Sequence, residues 1–212
     1  MNLYQVGNRE TITLFPTLLH KLKLQDKNLL DQFEKKIYDL REQKQGFEKR
    51  GVFTANDTLH LEPEMAPLCD IIMQESDRIL NDLKVVRDSH YITHMWAHVT
   101  PPNHRHMMHT HSNSFLSGTL YVKTPKKCAP VIFSDPRPGV PILVPEYTEY
   151  NRANGATFQI YPQRGDLLIF PSWLPHGVDE GECEAHEERI SIPFNIMLKG
   201  KINSRPTETL TL

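Results

Sequence analysis

The stretch HRHMMHTHSNSFLSGTLYV, residues 104–122, decides how the rest of this chain is read. Its second half is short and rich in β-branched and aromatic residues, the composition of a strand. Ahead of it stand His104, His106, His109 and His111, and seven of the chain's 11 histidines lie between His90 and His111, a concentration that asks for a chemical reason. Residues two apart in a strand project from one face, so His109 and His111 can converge on one metal ion, and so can His104 and His106. The two pairs have opposite parity. In an unbroken strand they face opposite sides, and only a bulge near Met107 and Met108 brings both to one cavity.

Further along, GDLLIFPSWLPHGV (165–178) begins with a turn glycine, runs as an apolar strand to Pro171 and reaches His176, a candidate third ligand. Arg189 then opens RISIPFNI, with Ser191 two residues on and on the same face. An arginine in so apolar a strand is either a solvent-facing end residue or an inward charge awaiting an anion, and a bidentate carboxylate satisfies its fork best. Each feature also has a plainer reading. An HxH alone fits a solvated surface pair, His176 alone fits a turn histidine bonded to backbone, and Arg137 of DPRPG fits a solvated turn arginine. Trp96 and Trp173 read as core or pocket wall, and Met107 and Met108 as packing residues.

YITHMWAHVT, SFLSGTLYV, APVIFSD, ATFQIYP, DLLIF and RISIPFNIML give at least six strands from Tyr91 onward. Nine of the 16 prolines fall between Pro125 and Pro175 and punctuate these runs. No helical pattern alternates with them, which argues against a parallel βαβ sheet and favours a two-sheet jelly roll or barrel with helices outside, a mainly β, α+β architecture. Before Tyr91, an early strand is expected around Leu14 to Leu24. Asp26 is placed to cap a helix whose apolar positions Leu29, Leu30, Phe33, Ile37 and Leu40 share one face, with Gly46 ending it. Residues 46–58 read as a loop, and a second helix runs from Glu64 to Leu83 behind Pro63. One domain of 212 residues is expected: a strand and two helices over 1–90, the β core over 91–198 and a C-terminal tail over 199–212.

Twenty-four basic against 26 acidic residues leave a formal charge of −2 with no long block of like charge, which disfavours non-specific nucleic-acid binding. No apolar run approaches the roughly 20 residues of a membrane span, and MNLYQVGNRE lacks a basic-then-apolar leader, so a cytoplasmic protein with no membrane partner is expected. Cys69, Cys128 and Cys183 are odd in number and widely spaced, which predicts free thiols. A homodimer is compatible with all of this.

HTH (109–111), SGTLYV (117–122), the run from Gly165 to His176 and RIS (189–191) together resemble the double-stranded β-helix core of Fe(II)/2-oxoglutarate-dependent oxygenases. FSDPR (133–137), FPSWLPHGV (170–178) and RISIPFN (189–195) are similar to an uncharacterised HxH-type group of that superfamily from marine phages and bacteria. The resemblance spans about Trp96 to Leu198. It implies that His109, His111 and His176 bind Fe(II), and that Arg189, with Ser191 and Tyr121, holds the distal carboxylate of 2-oxoglutarate. The activity it implies couples oxidative decarboxylation of 2-oxoglutarate by O2 to hydroxylation of a small molecule or protein side chain, with no catalytic side chain beyond the metal site.

One departure matters. The superfamily pattern has an acid where His111 stands, the two-histidine-one-carboxylate triad. Asp135 and Asp179 are the alternative carboxylates. A cupin-type three-histidine dioxygenase or isomerase shares the spacing of Gly165, Pro171 and His176, but its glutamate is missing at Phe115 and Leu116 and Trp173 replaces its glycine. A zinc hydrolase lacks its HExxH or equivalent base. A non-catalytic jelly-roll binding protein is the remaining alternative.

Overall fold

The computed structural model describes residues 9–102, 104–137, 142, 145–184, 187–203 and 209–212. The N-terminal part forms β1 (His20–Lys23), helix α1 (Lys27–Glu42), the hairpin β2 (Gly46–Lys49) and β3 (Val52–Ala55), and helix α2 (Ala66–Asp82) after two 3-10 turns. Then follow β4 (Ser89–Met95), β5 (His98–Thr100), β6 (His106–His109), β7 (Leu116–Lys123), β8 (Val131–Ser134) and β9 (Thr157–Ile160). The chain continues through β10 (Asp166–Pro171), β11 (His176–Val178) and β12 (Arg189–Lys199), and the short strands β13 (Lys201–Ile202) and β14 (Leu210–Thr211) pair with each other.

Two antiparallel sheets result. The large one has the order β1-β10-β7-β12-β5-β3-β2, with β4 also paired to β12, and the small one has the order β6-β11-β8-β9. From β5 to β12 the chain passes back and forth between them, the path of a jelly roll, and mainly β structure with flanking helices is the observed class.

Sequence alternation explains the layering. In β12, Ile190, Ile192, Phe194, Ile196 and Leu198 join the core that α1 and α2 build through Leu30, Phe33, Ile37, Leu68, Ile72 and Leu80. The intervening Arg189, Ser191, Pro193 and Asn195 therefore face the other way, between the sheets. Likewise Leu120 and Val122 of β7 belong to the helix-side core, whereas Tyr121 packs between the sheets with Val131, Phe133, Leu168, Phe170 and Leu174. Burying so many aliphatic and aromatic side chains contributes about 1.5–3 kcal/mol each before chain entropy is counted.

Asp26 caps α1 as its sequence predicts, its carboxylate accepting from the Leu29 amide at 3.0 Å. Other expectations need correction. The helix ends at Glu42 rather than at Gly46, and the expected loop of 46–58 contains the β2–β3 hairpin. Three of the four β2 residues are exposed, so this edge strand has no apolar alternation to betray it. Gly46 serves close approach: a Cβ there would fall 2.2 Å from the Thr54 carbonyl oxygen. The early strand is only His20–Lys23, and the expected tail contains β13 and β14.

One buried polar cluster ties three sequence motifs together. Ser117 Oγ lies 2.8 Å from Ser172 Oγ and donates to Asn195 Oδ1 at 2.8 Å, joining β7, the corner after β10, and β12.

Candidate metal centre

The parity conflict among the histidines is resolved by a bulge. His176 of β11 pairs with His109 of β6, while Val178 pairs with His106, so two steps along β11 oppose three along β6. The extra residue falls at Met107–Met108, where a bulge is the condition for both pairs to reach one cavity; the expectation from sequence is that one pair faces away. His106 consequently stacks on His109, with ring centroids 4.6 Å apart and planes 20° apart. His111 lies just beyond β6, anchored by its amide, which donates to the Ser172 carbonyl at 3.0 Å.

His109, His111 and His176 each present one nitrogen, and these atoms lie within 4.8 Å of one another. The His109 Nδ1 is 2.8 Å from the Met107 carbonyl and the His176 Nδ1 is 2.9 Å from the Leu174 carbonyl. A carbonyl only accepts, so both rings carry their proton on Nδ1 and offer Nε2 as a lone pair, the usual arrangement of a metal-ligating imidazole. His111 Nε2 faces His176 Nε2 at 3.2 Å, a separation bridged either by His111's own proton or by a cation. Burial first, then neighbouring imidazoles, lowers His111 to about 4, and burial dominates in His176, also lowered to about 4 although the Leu174 carbonyl opposes it. At neutral pH the His111 and His176 rings take up no extra proton, and the donor set of three imidazoles fits a divalent transition metal.

Asp135 and Asp179 do not join this cluster. The Asp135 carboxylate is occupied by Arg137, whose Nε sits 2.9 and 3.1 Å from its two oxygens, and Asp179 is 3.5 Å from Arg105. Arg137, read from sequence as a solvated turn residue, thus closes onto its own turn. Among the described residues, the three histidines are the converging set of metal donors.

A narrow cleft is lined by Thr100, Pro101, His104, Cys128, Cys183 and Arg189, and none of the three histidines lines it. Arg189 is 8% exposed, and its Nε and one terminal nitrogen have no hydrogen-bond partner. Ser191, the next residue on that face, pairs across the sheet with Tyr121 on one side and His98 on the other. Burial raises the Tyr121 hydroxyl to about 12, with Arg189 opposing, so it stays protonated and able to donate.

His98 was not among the sequence candidates. Its ring sits edge-on to His106 at 6.0 Å, and burial, reinforced by His106 and Arg189, lowers it to about 3. The alternation of His98 and Thr100 with the core residues Ala97 and Val99 was the available signal.

Residues 94–195 match the family model described as "Putative 2OG-Fe(II) oxygenase". No curated protein matches the sequence. In fold, the chain is similar to a prolyl-4-hydroxylase from Pseudomonas putida, with a TM-score of 0.64 and 14% identity over 87% of this chain and 94% of that one. It is also similar to HygX from Streptomyces hygroscopicus with nickel and 2-oxoglutarate bound, with a TM-score of 0.59 and 12% identity over 86% of this chain and 83% of that one. A third similar structure is the viral collagen prolyl hydroxylase of Paramecium Bursaria Chlorella virus-1 in its 2OG complex, with a TM-score of 0.54 and 12% identity over 85% and 96%. At such identities the likeness is one of fold. The matched segment, just under half of the chain, carries β5 through β11, the first part of β12, all three histidines and Arg189, and over it the sequence is similar to the 2OG-Fe(II) oxygenase family.

Proposed function

We propose that this chain is a dioxygenase that hydroxylates a small-molecule or protein side-chain substrate, with Fe(II) held by His109, His111 and His176. Arg189 receives the distal carboxylate of 2-oxoglutarate, helped by Ser191 and the Tyr121 hydroxyl. When bound, iron with 2-oxoglutarate and O2 supplies the oxidising chemistry, in which the 2-oxoacid loses carbon dioxide to become succinate and the substrate carbon gains a hydroxyl. The protein's own task is to orient and to exclude water. The Met107 and Leu174 carbonyls fix the His109 and His176 rings, and Leu168, Phe170 and Phe133 keep the interior apolar.

The observation that carries this reading is the guanidinium of Arg189. A buried cation with two unpartnered donors is costly, several kcal/mol for the charge alone, unless an anion completes it. A carboxylate does so in two parallel charge-assisted bonds. The neighbouring folds bear names of different outcomes, prolyl hydroxylases among them and an epimerase, SnoN from nogalamycin biosynthesis. Hydroxylation is the outcome proposed for this chain.

Anaerobic titration of the protein with Fe(II) and 2-oxoglutarate tests the proposal. A visible charge-transfer band from the chelated 2-oxoacid is expected, followed on aeration by stoichiometric succinate. Iron binding without that band would point to a three-histidine metal protein of another kind, and no iron binding to a jelly-roll protein without metal chemistry.

A further inference from the structure

Of the three histidines, His111 is supported differently. His109 and His176 have their rings fixed by backbone carbonyls through Nδ1, but no hydrogen bond to the Nδ1 of His111 is formed among the described residues. His111 also stands where the superfamily pattern has an acid, whose two oxygens need no tautomer fixed. A metal-ligating imidazole without an orienting partner loses affinity, because the ring is free to turn away.

Apart from His109 and His176, whose ring centroids lie 5.1 Å away, the ring packed beside it is that of Trp96, with its centroid 6.1 Å from that of His111 at a tilt of 38°. The indole N–H of Trp96 donates to His98 Nε2 at 2.8 Å. An indole can only donate, so His98 Nε2 carries no proton, and in a neutral ring the proton must then sit on Nδ1. That nitrogen is 2.9 Å from Thr54 Oγ1, which accepts it. Thr54 and His98 are direct cross-strand partners between β3 and β5, so the contact is set by sheet register rather than by a flexible loop. The low protonation of His98 keeps this single tautomer in force at neutral pH.

We propose that Thr54, His98 and Trp96 form a relay that positions His111 in the metal centre. Thr54 accepts the Nδ1 proton that this tautomer of His98 presents, His98 holds the indole, and the indole limits the rotation of the His111 ring. The inference rests on the reading of His111 as a metal ligand. Thr54 lies outside residues 94–195, so the β2–β3 hairpin supplies a positioning residue from beyond the segment that matches the family model.

The experiment is a double-mutant cycle on metal affinity, read by calorimetric titration of the full chain with Co(II). Thr54→Val removes the acceptor with little change of shape, and should weaken Co(II) binding about threefold to tenfold, below the tenfold to hundredfold typical of losing a direct orienting partner. Thr54→Ser should restore wild-type affinity. In a His111→Ala background, Thr54→Val should have no further effect. The indole N–H resonance of Trp96, assigned in a Trp173→Phe background, should exchange with solvent faster in metal-free Thr54→Val than in Thr54→Ser. An equal loss of affinity from Thr54→Val with and without His111 would overturn the relay and leave a general structural role. So would an unchanged Trp96 resonance. If His111→Ala binds Co(II) as well as wild type while the Trp96 resonance behaves as expected, the error lies in His111 as a ligand, and the relay has no metal centre to serve.

Discussion

Replacing Arg189 with methionine should move stability and cosubstrate binding in opposite directions. The guanidinium is almost fully buried, and two of its three nitrogens lack partners, while the Cys128 thiol is a hydrogen-bond neighbour. Each unsatisfied buried donor costs about 1–3 kcal/mol, and exchanging a poorly compensated buried charge for an apolar side chain of similar volume is neutral or stabilising by about 1–4 kcal/mol. For a chain of this size each kcal/mol is worth roughly 2–4 °C, so ligand-free Arg189→Met should melt no lower than wild type and as much as ~16 °C higher. The same substitution removes a charge-assisted contact of about 1.5–3 kcal/mol, so 2-oxoglutarate should bind about tenfold to a hundredfold more weakly or somewhat more. Arg189→Lys should recover only part of that, since lysine keeps the charge and loses the planar fork. The assay is scanning calorimetry of the Mn(II)-loaded protein with and without 2-oxoglutarate, together with isothermal titration. Wild type should gain melting temperature with 2-oxoglutarate by mass action, and Arg189→Met should not. A variant that melts several degrees lower without ligand and keeps its affinity would refute the reasoning, because the arginine would then be serving the fold.

His109→Ala and His176→Ala should abolish stoichiometric metal binding, while His104→Ala leaves it intact; metal content after identical loading decides this. His111→Asp should retain Fe(II) and 2-oxoglutarate binding where His111→Ala loses much of the iron affinity, checked by anaerobic dissociation constants. Metal-free protein should lose stability on acidification, because His98, His111 and His176 have protonation lowered to about 3 or 4, below the ~6.5 of the unfolded chain, so the unfolded state binds more protons between those values. The melting temperature should therefore fall as pH drops from about 6.5 toward 4, and excess Zn(II) should shift that fall to lower pH. A melting temperature that is flat over that range would contradict the burial of these rings. Ser117→Ala leaves Ser172 and Asn195 without their shared partner and should cost about 1–3 kcal/mol, read by denaturant titration.

What could be read in the sequence was what local spacing controls. The Asp26 cap, the stripe Leu30, Phe33, Ile37 and Leu40, and the odd–even division of β12 follow from periods of 3.6 and 2. The bulge at Met107–Met108 was legible as a condition, since the parity of the histidines allowed one cavity only with an extra residue. The hairpin of Gly46–Ala55 was not, because β2 is a solvent-exposed edge strand that has no apolar face to declare. Nor was β11, whose three residues are too short to show alternation and whose strand character comes from lying between β6 and β8. His98 escaped for a similar reason. Its surroundings are made by Thr54 and Ser191, brought beside it only by sheet pairing.

The two sheets are unequal in their backing. Both helices pack on the large sheet, and the small sheet, with His109 and His176 on its strands and His111 at its margin, contributes nothing to that helix-side core. Arg189 stands on the other side, in the large sheet. A metal ion alone therefore links chain segments at one wall of the jelly roll, whereas a ligand gripped at one end by the metal and at the other by Arg189 laces the two walls together. Hydrogen exchange should register the difference as two steps. Metal would slow the amides of β6 and β11 only, and 2-oxoglutarate would make their opening cooperative with that of β7 and β12, turning a thin sheet over a rigid one into a single unit.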